Sequence, residues 1–388
     1  MRATSLPAHL DCLIVGGGPV GGALALMLAG NGLQIGVVEA RQHPGKDPRA
    51  LAISQASAEV LTGLGIWPAL AATAIERVHV SQQGAFGRVV LRNGDLNLPA
   101  LGHVMPYAAL AGAVHEQLNR HPAIHYLAGA TVTQVQTLDA YAAITLQHEG
   151  EEVLVTSGLL TLADGGALLA QAGIRQHERD YHQHAILAEL QVSPMQAGVA
   201  FERFAKDGPI ALLPHGEGYT VVWTRPEHDP LDVRGMDDAT FLNALAERIG
   251  DRAGQLLAVS PRLAFPLRLK WAASHSARRV AVVGNAAQTL HPVAGQGFNL
   301  GLRDARALAG VISATPPNAL GDDAMLSRYA SLRQRDSWAT VGFTDSLIRL
   351  FELDLKPLRR LKLAGFLALD NLPPLRREFA ARMVFGTP

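Results

Sequence analysis

The stretch RVAVVGNAAQTLHPVAGQGFNLGLRDARA, Arg279–Ala307, sets the architecture around which the remaining residues are read. Val280 to Val283 is a short apolar run of the kind that forms a buried strand. Gly284, Pro292, Gly295 and Gly297 then interrupt regular structure until Asn299, where Leu300, Leu302 and Leu308 begin a helical pattern. A strand, a tight loop and a helix N-terminus aim several unpaired backbone N–H groups at one point. Such a point suits the edge of a ligand that carries negative charge. Gly295-Gln-Gly-Phe-Asn-Leu-Gly301 imitates a dinucleotide fingerprint. Pro292 and a loop separate it from the strand, so it is not one.

A true fingerprint lies near the start of the sequence. Cys12 to Val15 reads as a buried strand, a helix runs from about Val20 to Asn31, and Ile35 to Glu39 is the next strand. Between the first two, Gly16-Gly17-Gly18-Pro19-Val20-Gly21 supplies G-x-G-x-x-G in register. Gly16 permits the turn, Gly18 lets the backbone approach a pyrophosphate, and Gly21 lets the helix pack on the strand. Glu39 ends the second strand, where a carboxylate can accept both ribose hydroxyls of an adenosine. These residues alone do not separate FAD from NAD.

The bulk composition narrows the function class. Lys plus Arg numbers 34 and Asp plus Glu 34, so nothing global suggests nucleic acid as a partner. The one cysteine, Cys12, excludes an internal disulfide, a cysteine-only metal site and paired-cysteine flavin chemistry. Cys12 to Val38 carries no charge, but its glycines and Pro19 punctuate strand, turn and helix rather than a membrane span. A cytoplasmic protein, at most peripheral to the inner membrane face, is expected. The histidines show no metal-ligand spacing, and no metal is expected.

Further along, Ser54 is placed to N-cap a helix with Val60, Leu61 and Leu64 inward. Val78 to Leu91 alternates as a hairpin, and Tyr107 to Leu118 reads as a helix. Strands follow at Ile124–Tyr126, Thr131–Thr137, Tyr141–Leu146, Glu152–Thr156 and Leu159–Leu162, the last closed by Ala163-Asp164-Gly165. From about Arg175 to Lys270 strands dominate, with one helix from Asp237 to Ile249. Helices are predicted over Asn299–Ser313, Asp323–Phe351 and about Lys356–Leu369.

The motif GNAAQTLHP followed by AGQGFNLGLRDA resembles the second flavin-binding motif of the aromatic-ring flavoprotein monooxygenases, the family of para-hydroxybenzoate hydroxylase. In detail it resembles the ubiquinone-biosynthesis hydroxylases. Phe201-Glu-Arg-Phe204, Gly208-Pro209, Leu212-Leu-Pro214, Tyr219 to Trp223, and Tyr329, Arg333 and Asp336 extend that likeness from Asp11 to about Leu350. The resemblance implies an α/β fold like that of para-hydroxybenzoate hydroxylase. A Rossmann-type FAD domain (1–76, 104–174 and 272–350) would carry an inserted mixed β-sheet substrate domain (77–103 and 175–271) and a helical C-terminal tail (351–388).

It also implies FAD as cofactor and NAD(P)H as a transient donor, since only one nucleotide-binding βαβ unit is present. Dioxygen would act through a flavin hydroperoxide, the substrate would be a prenylated phenol, and other ubiquinone-biosynthesis proteins would be partners. The cofactor set carried over comprises Arg49, Asp164, Asn285, Pro292, Gly295, Gln296, Gly297 and Asn299, with Gly16, Gly18, Gly21 and Glu39 from the fingerprint. Asn285 and Gln288 stand where the family usually has Asp and His. Ala108 and Ala109 stand where an arginine often reaches the flavin, and the Ser and Arg that complete the Asp-Gly motif are missing.

Pro214 and His215 would face the substrate, His215 polarising the phenol as the one catalytic candidate. A catalytically silent member of a quinone-biosynthesis assembly, a hydroxylase for another ring position and a simple nicotinamide dehydrogenase stay open as alternatives. The segment Arg349–Pro388 holds eight basic residues against four acids, and leucines interleave with Lys356, Arg359, Arg360 and Lys362. That pattern suits either contact with an anionic membrane surface or packing on the FAD domain.

Overall fold

Segments apolar on both faces form parallel strands covered on both sides. His9–Val15, Ile35–Glu39, Ile124–Ala128, Glu151–Leu162 and Val280–Val282 are such segments. They lie side by side in the order Val280–Val282, Glu151–Leu162, His9–Val15, Ile35–Glu39, Ile124–Ala128, all parallel. The computed structural model describes residues 6–67, 70–84, 87–205, 207–291, 295–352 and 356–386, excluding the side chains of 251, 347–349, 351, 352 and 356–361. Helices Pro19–Leu28, Tyr107–Arg120 and Gln296–Ser313 contribute Leu24, Val114 and Leu308 to one core with Ile14, Val37 and Leu159. Cys12 lies inside this core, where burial pushes its thiol up to about 12.

The sequence predicts two strands at Glu152–Thr156 and Leu159–Leu162, but a single strand Glu151–Leu162 forms. Its first half pairs antiparallel with Ala142–His148 and its second half parallel with His9–Val15. The two pairings overlap at Thr156 and Ser157, so the chain has no reason to turn at Gly158.

The second sheet has nine strands among the described residues and is built on the 18-residue strand Gln176–Ser193. Helix Asp238–Ile249 buries Phe241, Leu245 and Ile249 on it, with Asp237 as N-cap accepting from Thr240 N–H. Two links join the sheets. Gln288–Thr289, after Val280–Val282, pairs with Leu263–Ala272, and a three-stranded sheet of Ala50–Ser54, Gly102–Pro106 and Thr73–Ile75 bridges the rest.

The tail follows helix Asp323–Glu352 as two further helices, Lys356–Asn371 and Pro373–Phe385. Pro373 supplies the fixed backbone that opens the second. Phe366, Ala380 and Val384 pack on Val89, Leu91 and Leu101 of the second sheet and its neighbouring loop. Among the described residues no helix is long and apolar enough to cross a membrane.

Candidate active site

The fingerprint glycines build an open groove. Gly16 has φ +108°, and a Cβ there would lie 2.4 Å from the Ala163 carbonyl oxygen, so only glycine lets the two strand ends meet. Gly18 is the N-cap of helix Pro19–Leu28, with no side-chain cap and no acid in the first turn. A Cβ on Gly18 would meet nothing nearer than Tyr107 Oη at 3.9 Å. Among the described residues the protein thus leaves this helix start clear of neighbouring side chains, as approach by a diphosphate requires. At the end of the neighbouring strand, Glu39 Oε2 accepts from Gly17 N–H at 2.8 Å and Oε1 from Arg41 N–H at 3.0 Å. Lone pairs remain on that fixed carboxylate for a ribose. An unsatisfied helix end, a glycine cradle and a terminal acid fit FAD.

Two expected cofactor residues sit beside the groove with their side chains already engaged. Asp164 closes its own turn, accepting from Gly166 N–H at 3.0 Å and Leu168 N–H at 2.8 Å, while its backbone abuts Gly16. Arg49 is held by Asp47 and lies over the rings of Tyr107, 5.5 Å away, and Phe265, 5.9 Å away. Tyr107, which the sequence does not mark as a cofactor contact, also borders the groove, its Oη 3.9 Å from the place of a Gly18 Cβ. Its only signal in the sequence is an aromatic opening the helix from which the usual arginine is missing.

The loop Gly284–Asn299 is locked from beneath by buried charge. Asp304 accepts from Gly284 N–H at 3.1 Å, Gln288 Nε2 at 2.7 Å and Arg333 Nε at 2.7 Å. Arg333 also reaches Asp336 at 2.8 Å, which takes Arg303 as well. Burial pushes the Asp336 carboxyl up, but bonds and charge from Arg303 and Arg333 outweigh it and hold the group below the usual range. Gln288 accepts in turn from Ser337 at 3.0 Å, which explains an amide at this position: it must both donate and accept.

Above this network Asn285 is exposed. Gly295 adopts φ +60° as N-cap of Gln296–Ser313, and a Cβ there would lie 2.8 Å from Ala52 Cβ. That cap starts the helix before Asn299, the start expected from sequence. Among the described residues a Cβ on Gly297 would meet nothing within 4 Å. Asn299 spends its side chain on the backbone, accepting from Ser54 N–H at 2.9 Å and donating to Ala52 O at 3.0 Å and Gly295 O at 2.8 Å. It positions strand Ala50–Ser54 against the helix start. Gln296 is buried and donates to Met383 O at 3.2 Å. Pro292 lies outside the described residues.

Against this loop lies a cavity of about 450 Å³. Ala52–Ser54, Gln296 and Asn299 form one wall, Val78, Val80, Glu202 and Phe204 of the second sheet another, and Phe366, Ala380 and Val384 of the tail the roof. Its lining is overwhelmingly apolar. Glu202, unmarked by the sequence reading except within Phe201–Phe204, contributes a carboxyl that burial pushes up to about 8.

Two expectations need correction. Pro214 and His215 do not line this cavity. His215 ends strand Gly208–His215 with Nδ1 3.4 Å from Thr220 Oγ1 and 3.6 Å from Glu189 Oε1, because strand alternation and a turn carry it to the sheet's end. Lys362 does not face solvent as an interfacial helix would require; it is buried and lines the cavity. The side chains of Arg349, Lys356, Arg359 and Arg360 lie outside the described residues.

The family described as FAD binding domain matches residues 9–344. The ubiquinone hydroxylase UbiL of Rhodospirillum rubrum is 34% identical over 390 residues, covering 97% of this chain and 90% of that protein. The 3-demethoxyubiquinol 3-hydroxylase of Escherichia coli is 31% identical, covering 95% and 96%. In fold, the p-nitrophenol 4-monooxygenase PnpA of Pseudomonas putida superposes with TM-score 0.80 at 17% identity over 98% of this chain and all of that one.

Proposed function

The chain belongs to the FAD-binding-domain family of FAD-dependent aromatic monooxygenases, among its ubiquinone-hydroxylase relatives, and from that premise we propose its substrate and step. The protein hydroxylates the aromatic ring of a polyprenyl phenol in ubiquinone biosynthesis, at the position served by 2-polyprenyl-6-methoxyphenol hydroxylase or a neighbouring one. The observation that carries this reading is the apolar cavity set directly against the Gly295–Asn299 loop. A ring with a hydrocarbon tail is the ligand such walls suit, each buried CH₂ contributing about 0.8 kcal/mol relative to water.

FAD, when bound, supplies the activation of dioxygen and the transfer of one oxygen atom to an electron-rich ring, with electrons from NAD(P)H. The protein's share is positional. The open helix start at Gly18 and the Glu39 carboxylate would hold the diphosphate and ribose. Gly297 and the first turn of Gln296–Ser313 would receive the ring system, with backbone N–H groups stabilising negative charge there. Val78, Val80, Phe204 and Phe366 exclude water from the reacting face. NADH or NADPH would dock transiently, because the sequence has one dinucleotide fingerprint.

A lipid-soluble substrate also favours membrane contact by the tail, whose outer surface exposes Leu367, Leu372, Leu375 and Phe385. The purified protein should oxidise NAD(P)H slowly alone and faster with a prenylated phenol. With labelled dioxygen the new hydroxyl should carry the label; label drawn from water would contradict the reading. A bound flavin with no stimulation by any phenol would instead point to a catalytically silent assembly member.

A further inference from the structure

Glu202 breaks the pattern of the strand that carries it. Val199–Ala205 runs parallel to Arg77–Gln82, with Ala200 opposite Val78, Glu202 opposite Val80 and Phe204 opposite Gln82. Val78, Val80 and Phe204 turn apolar side chains to the cavity, and a binary pattern would place another apolar residue at 202. A carboxyl in such surroundings must find a partner or stay neutral. Among the described residues Glu202 makes no hydrogen bond and no ion pair within the protein. The adjacent Arg203 is no partner either, since it donates to Ser81 Oγ at 3.2 Å.

The other polar side chains lining the cavity are all engaged. Ser54 caps its helix by accepting from Ser57 N–H, Asn299 binds three backbone groups, and Gln296 reaches Met383. Lys362 is likewise engaged within the protein. Burial raises the Glu202 carboxyl far enough to keep it largely protonated near neutrality. A protonated carboxyl with no internal partner offers one O–H donor and free acceptor lone pairs to whatever fills the cavity.

We propose that Glu202 is the residue that receives the ring hydroxyl of the substrate phenol, fixing the ring's orientation while the prenyl chain lies on the apolar walls. This rests on the cavity being the substrate site. It makes Glu202 a specificity-determining contact, a role the sequence gives no reason to assign.

The test compares wild type, E202Q and E202L in NAD(P)H oxidation stimulated by a short-chain prenyl phenol and by its methyl ether, which keeps the shape but loses the hydroxyl. The wild type should favour the phenol by about tenfold or more in KM, the size of one well-made hydrogen bond in a dry site. E202Q, which still donates and accepts, should keep that preference within about threefold. E202L should lose it while remaining folded, since leucine suits the surrounding walls. An undiminished preference in E202L overturns the Glu202 contact alone. A wild type stimulated by no prenylated phenol overturns the reading of the cavity, and this proposal with it.

Discussion

Glu39 ends its strand with both carboxylate oxygens already fixed by backbone N–H groups, so its remaining lone pairs are pre-aimed at the groove. Removing a charge-assisted hydrogen bond costs about 1.5–3 kcal/mol. Glu39→Ala should therefore weaken FAD about ten- to hundredfold, measured by titrating the apoprotein with flavin. An unchanged dissociation constant removes Glu39 from the site. Glu202 makes a second residue-scale prediction, in pH. Burial pushes its carboxyl from the ordinary 4.5 up to about 8 in the folded protein, so between those limits the unfolded state has released the proton and the folded state has not. Wild-type stability from this group is full below pH 4.5 and is lost as pH rises toward 8. Glutamine does not titrate. The melting temperature of E202Q relative to wild type should climb through that window and flatten on either side; a pH-independent difference would mean that the carboxyl is not held neutral.

Helix Gln296–Ser313 separates two kinds of glycine. Gly295 is required by the protein itself, being left-handed and 2.8 Å from Ala52 Cβ at the position a side chain would take. A Cβ on Gly297 would meet no atom of the described residues within 4 Å. Gly295→Val should therefore lower the melting temperature of the apoprotein, whereas Gly297→Val should fold nearly as well and bind FAD at least about tenfold less tightly. Normal flavin binding by Gly297→Val would place the flavin ring elsewhere. Beneath the same helix, Arg333→Met would strand Asp304 and Asp336 without their shared cation. A loss of about 3–5 kcal/mol in a denaturant titration is expected, because a buried charge without its partner is strongly destabilising.

Much at this scale was legible in the sequence. Ser54 caps the helix it is expected to cap, the helix expected over Asp237–Ile249 forms with Asp237 as its N-cap, and Ile35–Glu39 has the bounds its apolar run predicts. Local signals of this kind report local structure. What they could not report is how distant segments face one another: Gly158 reads as a break until two partners pair across it, and His215 reads as cavity-facing until the sheet is assembled. Glu202 needed the tail helices in place before its surroundings could be called a cavity.

At the scale of the whole molecule, the loop after Val280–Val282 belongs to both sheets, and the tail helices close the space between that loop and the second sheet. The tail therefore has two surfaces with different tasks. Its inner surface spends Lys362, Phe366, Ala380 and Val384 on the cavity, so those residues cannot also meet a membrane. Its outer surface leaves Leu367 49%, Leu372 53% and Leu375 44% exposed around the turn between the two helices, with Arg377 exposed beside them. Arg376 and Arg382 are taken by Asp95 and Glu378. An anionic surface would gain about 1 kcal/mol from each unpaired basic residue near it, and exposed leucines add apolar burial. The variant combining Leu372→Ser, Leu375→Ser and Arg377→Glu should thus float with anionic liposomes at least about tenfold less than wild type. Its activity on a short-chain phenol dispersed in water should be unchanged, because none of the three residues lines the cavity. Equal flotation of variant and wild type would leave the tail as a roof only, and a lipid-borne substrate would have to reach the cavity by way of a partner protein.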